Sequence, residues 1–216
     1  MILNYRIPTF LLIAAFSVLS VARAEEWEIG GAVGWAFTKD QNITRANTTA
    51  KVGSERAAAI SFFVSHREHR RLGGDFYYTQ RMGDLKLDSG GTAVRFDSTS
   101  HLVHYDLTYH PFRADARIDP YFGAGGGVRV FRGTGRETAF QGLNQIAVIS
   151  RTQEILPLLS VAAGVRMKLS KHSAIRFEFR DNITPFPGKV IAVNPQANAP
   201  KWWHDFTPQV GFGVVF

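Results

Sequence analysis

From Trp27 to Phe216 the chain alternates bulky apolar side chains with small or charged ones, in at least eight separate stretches. A period of two is that of the β-strand, whose successive side chains point to opposite faces. Trp27, Ile29, Gly31, Val33, Trp35 and Phe37 form one such row; Ala58, Ile60, Phe62 and Val64 form the next. Leu72, Gly74, Phe76 and Tyr78 follow, then Val103, Tyr105, Leu107 and Tyr109. Ile118 to Val130, Ile155 to Met167, Ile175 to Phe179 and Phe206 to Phe216 repeat the rule on every second residue. Helical stripes at i, i+3 and i+4 are hard to find after Glu25.

The two rows of each strand differ in bulk as well as polarity. One carries Trp, Phe, Tyr, Leu, Ile and Val. The other carries Gly, Ala, Ser and Thr, together with Glu28, Asp75, Arg81, Asp106, Arg129, Arg166, Arg176, Glu178 and Arg180. A soluble barrel turns its large apolar side chains inward, and a membrane barrel does the reverse. The interior of an eight-stranded barrel is only just wide enough for side chains, so the small and charged row fits it and the bulky row does not. An Arg facing lipid at mid-bilayer costs ~2–4 kcal/mol. Arg176 and Arg180 are therefore expected inside, with Glu178, and the nine charged residues are expected to pair as an interior ionic plug.

Connections of two lengths alternate. The segments 66–71, 111–117 and 168–172 are short; 38–54, 83–97, 133–153 and 182–201 are long, with 83–97 reading as hairpin arms around Gly90-Gly91. In an antiparallel meander this puts all the short turns on one rim, and both termini with them. Short turns on one side and long loops on the other are the pattern of a transmembrane β-barrel. Aromatics mark two boundaries: Trp27, Tyr109 and Phe216 near the short-turn rim, and Trp35, Phe37, Trp202 and Trp203 near the long-loop rim.

The first 24 residues read differently. Arg6 is followed by the apolar run FLLIAAFSVLSV and by Ala22-Arg23-Ala24, the small-x-small pattern of a secretory signal peptide. The expected division is a signal peptide over 1–24 and one β-barrel domain over 25–216. The formal charge is +7, and removal of Arg6 and Arg23 takes it to about +5. Export argues against nucleic acid as a partner. No other apolar run approaches the ~18–20 residues of a membrane-spanning helix. The absence of Cys excludes a disulfide scaffold, thiol catalysis and Cys-ligated metal.

The final segment, Gln209-Val210-Gly211-Phe212-Gly213-Val214-Val215-Phe216, together with the strand rows and signal peptide, resembles the small bacterial outer-membrane β-barrels of the OmpA transmembrane domain, OmpX and OmpW types. The resemblance covers the mature chain in architecture. It implies an all-β, eight-stranded, antiparallel, up-and-down transmembrane barrel in the cell outer membrane. It also implies that Val210, Phe212, Val214 and Phe216 form the C-terminal cue read by the barrel assembly machinery.

The chemical motifs are weaker. His101 and His104 stand at an odd spacing, which on a strand puts them on opposite faces, and His66 and His69 fall in an Arg-rich turn. No metal or other cofactor is expected. Gly123 and Gly125 make half of a dinucleotide fingerprint without its helix. The His-x-Ser pair of deacylase barrels does not occur, which argues against an enzyme, although an acyl-transfer role stays open. The long-loop rim is basic, and Arg132, Arg136, Lys189 and Lys201 are candidate contacts for lipopolysaccharide phosphates. The expected role is structural or interactive, in a monomer whose partners are outer-membrane lipid and lipopolysaccharide. A narrow pore for small or apolar solutes is the alternative; a lipocalin-like soluble ligand binder stands behind it.

Overall fold

The computed structural model describes residues 26–67, 71–112, 116–137 and 141–216. The segment read as a signal peptide lies outside them, as does His69. Eight strands close into one barrel: β1 (Glu26–Thr38), β4 (Ala57–Arg67), β5 (Leu72–Met82), β8 (Ser98–Tyr109), β9 (Ile118–Gly133), β11 (Gln153–Ser170), β12 (Ser173–Pro185) and β14 (Trp202–Val215). Every neighbouring pair is antiparallel, and β1 pairs with both β4 and β14, so the sheet has no free edge. The start of β1 and the end of β14 meet at the short-turn rim, where the Phe216 amide donates to the Trp27 carbonyl (2.9 Å).

The barrel turns its apolar rows outward. Phe177 and Phe179 are each 48% exposed and Phe212 is 52% exposed, whereas Arg176 and Arg180, which flank the two phenylalanines on β12, are 5% and 3% exposed. Val210, Phe212, Val214 and Phe216 all lie on the outer face. A β-strand in water does the opposite, because exposed aromatic surface costs free energy and a buried guanidinium costs more. The inversion fits a hydrocarbon surround.

The largest apolar core lies above the barrel. Six shorter strands come from the long loops: β2 (Gln41–Arg45), β3 (Thr48–Ser54), β6 (Leu85–Ser89), β7 (Thr92–Phe96), β10 (Ala147–Ile149) and β13 (Ile191–Val193). The first two loops share a four-stranded sheet ordered β2-β3-β6-β7, and the last two are tied by β10 and β13. The expected hairpin at 83–97 is present. Its two-residue connection has positive φ at both Gly90 (55°) and Gly91 (85°), the left-handed conformation a tight hairpin needs. The other loops were expected as plain connections, and their strands are a finding of the structure. Ile43, Val52, Leu85, Leu87, Phe131, Ile149, Ile191 and Trp203 pack together beneath these strands.

Candidate functional site

The polar lumen begins at the short-turn end. Arg176 on β12 reaches Glu28 (2.8 Å) on β1 and Asp75 (2.9 Å) on β5. Arg166 on β11 reaches Glu28 (2.5 Å) and also pairs with Glu26, to which Lys168 donates (2.7 Å). Arg67 and His110 meet at Asp119 (3.0 and 2.9 Å). Glu26, Glu28, Arg67, Asp75, Arg166 and Arg176 line a cavity of about 20 Å³, room for one water.

The middle of the lumen is a second network. Arg180 bonds Glu178 (2.9 Å) and Asp106 and lies over the Tyr77 ring, 4.2 Å from its centroid. Glu178 also accepts from the Tyr121 hydroxyl (2.7 Å), the Tyr77 hydroxyl (3.2 Å) and the Gln209 amide (2.6 Å). His104 Nδ1 stands 3.0 Å from Asp106, and Tyr77 stacks on the His104 ring. Every stave of the barrel adds a side chain to the filling: Ser61 on β4, for example, bonds Thr79 (2.9 Å) and Gln209 (3.0 Å).

At the outer end, Arg81 on β5 and Arg129 on β9 both reach Asp205 Oδ2 on β14, at 2.7 and 2.9 Å. Arg129 also lies 3.9 Å over the Phe131 ring. Above them the cap closes. Phe131 and Trp203 meet edge-on, and Arg45 fastens the first loop to the third and fourth by donating to the Gln145 carbonyl (2.7 Å) and Gln196 Oε1 (2.8 Å). On the cap's flank Arg95 pairs with Glu55 (2.5 Å). Burial, with the charges of Asp97 and Glu55, holds the Asp84 carboxyl above its ordinary range, against the pull of Arg95.

The structure thus places all nine expected charges in the lumen. Glu28, Asp75, Arg166 and Arg176 share the inner network; Asp106, Glu178 and Arg180 share the middle one; Arg81 and Arg129 share the outer one. Several partners escaped the sequence reading: Glu26, Arg67, His110, Asp119 and Asp205. Each lies just beyond an expected inward row, and extending the rows by further steps of two finds them. Asp205 is two before Thr207, Asp119 two before Tyr121, and Arg67 two after Ser65.

Trp203 is the clearest correction. It was expected beside Trp202 in the outer aromatic girdle, but it is fully buried in the cap core while Trp202 is 58% exposed. Consecutive strand residues face opposite ways, so the two could not share a lipid-facing belt. Trp35, Phe37 and Tyr109 are exposed on the outer face, and Trp27 is half-buried against His66. His101 points out, to the Tyr78 hydroxyl, and His104 points in. Among the described residues no cluster of three His, Asp or Glu side chains is arranged to hold a metal ion. Arg132, Arg136, Lys189 and Lys201 are exposed on the third and fourth loops and their stems, and among the described residues none of the four is held in an ion pair.

Comparison of the sequence with family models and with curated proteins finds no match. Comparison of the structure with solved structures does. The outer membrane protein OprG from Pseudomonas aeruginosa aligns at 16% identity and a TM-score of 0.59, covering 89% of this chain and 96% of that one. The outer membrane protein AlkL, solved in DMPC bilayers, aligns at 14% identity and a TM-score of 0.51, covering 100% of this chain and 97% of that one. Neisserial surface protein A gives 14% identity and a TM-score of 0.52, over 88% of this chain and 96% of its own. At such identities the likeness is one of fold, and the fold is that of the small eight-stranded outer-membrane β-barrels.

Proposed function

We propose that this chain is an exported outer-membrane protein whose barrel is a rigid, plugged stand for an ordered external cap, with a structural and interaction role. The observation that carries the reading is the filled interior. Arginines bridge acids across the lumen at three levels, and an apolar-cored cap lies over the outer end. A water-filled path would need those pairs to part, each leaving an uncompensated buried charge. The outward row Val210, Phe212, Val214 and Phe216 supports recognition by the barrel assembly machinery, and the apolar outer wall supports residence in the outer membrane after loss of residues 1–24. The test is conductance. The detergent-folded mature chain, added to planar bilayers, is expected to give no well-defined single-channel steps; regular steps would favour the alternative, a narrow pore for small or apolar solutes.

The exposed cations refine the interaction role. Arg132 and Arg136 belong to β9 and the third loop, Lys189 and Lys201 to the fourth, and β9, β11, β12 and β14 are adjacent staves. The four therefore form one basic sector of the outer rim, suited to lipopolysaccharide phosphates by charge and by the fork geometry of arginine. Exchanging Arg132, Arg136 and Lys189 together for Ser is expected to lower lipid A co-purification several-fold while leaving heat-modifiable gel migration intact. Unchanged lipid A content would reduce these residues to solvated loop charges.

A further inference from the structure

The outer wall of the barrel carries an apolar groove of about 640 Å³ that runs across the strands rather than along them. One bank is Val33, Val210, Phe177, Val165 and Pro120, successive register partners on β1, β14, β12, β11 and β9. The other bank lies two residues nearer the outer rim on each strand and runs from Trp35 to Phe122. It dips at Pro208 and Ala163, on either side of Phe179. Between the banks lie Gly164, Glu178 and Gln209 of the inward-facing row, whose strand backbone forms the floor.

Length and slope follow from the sheet. Neighbouring strands stand about 4.8 Å apart, so the four steps from β1 to β9 make the groove roughly 19 Å long. Barrel strands tilt by about 35–45°, and a groove at right angles to them is inclined to the membrane plane by the same amount. Trp35 stands near the outer end of β1, and Pro120 near the inner end of β9. The groove therefore descends by roughly 12 Å, most of one leaflet of a hydrocarbon core about 30 Å thick. An extended saturated acyl chain has this straight form; a cis double bond would kink it against the banks.

Two cations stand above the upper end. Trp35 is the register partner of Ala58, and the outward rows of β1 and β4 continue from these two residues to Lys39 and Arg56, both exposed. Among the described residues neither is held in an ion pair, since Asp40 is bound to Lys86 (3.0 Å) and Glu55 to Arg95 (2.5 Å). The outward acid Asp181 lies two staves away on β12 and bonds His204 (2.9 Å).

We propose that the groove seats one saturated acyl chain of lipopolysaccharide, with a phosphate of the same molecule held by Arg56 and Lys39. The chain enters beside Trp35 and runs down past Phe179 and Phe177 to Pro120. Fixed walls on both sides give it dispersion contacts that mobile lipid neighbours supply only in part, and the phosphate accepts from the guanidinium fork and the ammonium. The proposal rests on residence of the barrel in the outer membrane, and not on the rim cations of the third and fourth loops.

Native mass spectrometry of the detergent-folded mature chain, titrated with hexa-acylated lipid A and with dioleoyl phosphatidylglycerol, tests it. The wild-type chain is expected to bind a first lipid A more tightly than the phospholipid. Ala163→Phe fills the dip in the upper bank and is expected to weaken that first lipid A by about ten-fold, the equivalent of roughly two methylene contacts, with heat-modifiable migration intact. Leu159→Phe adds bulk to the same strand outside the groove and is expected to keep the affinity. Joint exchange of Arg56 and Lys39 for Ser is expected to bring lipid A down to the level of the phospholipid; it alters exposed residues only, and so decides the matter even if Ala163→Phe fails to fold. Equal binding of the two lipids by the wild-type chain overturns the proposal, as does full lipid A affinity in folded Ala163→Phe. Exchange of Arg132, Arg136 and Lys189 is expected to remove later copies of lipid A and spare the first, so the rim reading and the groove fail separately.

Discussion

Replacing Arg176 by Leu destabilises the detergent-folded barrel by about 3–5 kcal/mol, the range for breaking a buried ion pair from one side. Arg176 bonds Glu28 and Asp75 at once and covers the Phe63 ring at 4.6 Å. Its loss takes from Asp75 its arginine partner and leaves Glu28 with Arg166 alone, so the cost is chiefly that of stranded anions. Urea unfolding followed by tryptophan fluorescence measures it. Lys86→Gln is the comparison, since Lys86 and Asp40 form a partly exposed pair in the cap (3.0 Å), and such pairs contribute about 0–1 kcal/mol. Equal effects for the two variants would mean that the lumen is hydrated enough to screen its charges, and the plugged reading would fall with them. Adding Asp75→Asn to Arg176→Leu removes one stranded charge and should recover part of the loss.

Trp203→Ala is expected to loosen the cap at a cost of about 3–5 kcal/mol, the range for deleting a large buried aromatic. The indole is fully buried, packs against Phe131 and Phe186, and is the largest side chain of the cap core. Trp202→Ala, one residue away on the lipid-facing side, should have a much smaller effect. Limited proteolysis separates the two: the Trp203 variant should be cut in the long loops at lower protease concentrations, with the barrel strands still protected. Equal protection of both variants would show that the cap does not depend on this core.

Much of the barrel was legible in the sequence because both of its determinants are local. Alternation at a period of two gives the strands, and the difference in bulk between the rows of Phe177 and Arg176 gives the side that faces lipid. The hairpin around Gly90-Gly91 was legible for the same reason, since its turn is set by two adjacent residues. The cap was not. Ile43, Leu87, Ile149, Ile191 and Trp203 are scattered over all four long loops and the strands that flank them, and nothing in their own segments says that they meet. Trp203 was misread because its aromatic character was weighed without its parity along β14.

The amino-acid order by itself settled the number of barrel strands, their up-and-down order, the inward place of the nine charges and the outward place of the bulky apolar rows, because each follows from side-chain alternation and from the narrow bore of eight strands. The tertiary structure alone decided which acid meets which arginine. Those pairs join residues as far apart as Glu28 and Arg176, and their match depends on the stagger of the strands around the closed sheet. That stagger sets Asp205 beneath two arginines and Asp75 opposite one, because closure fixes every register together and no single strand carries that information.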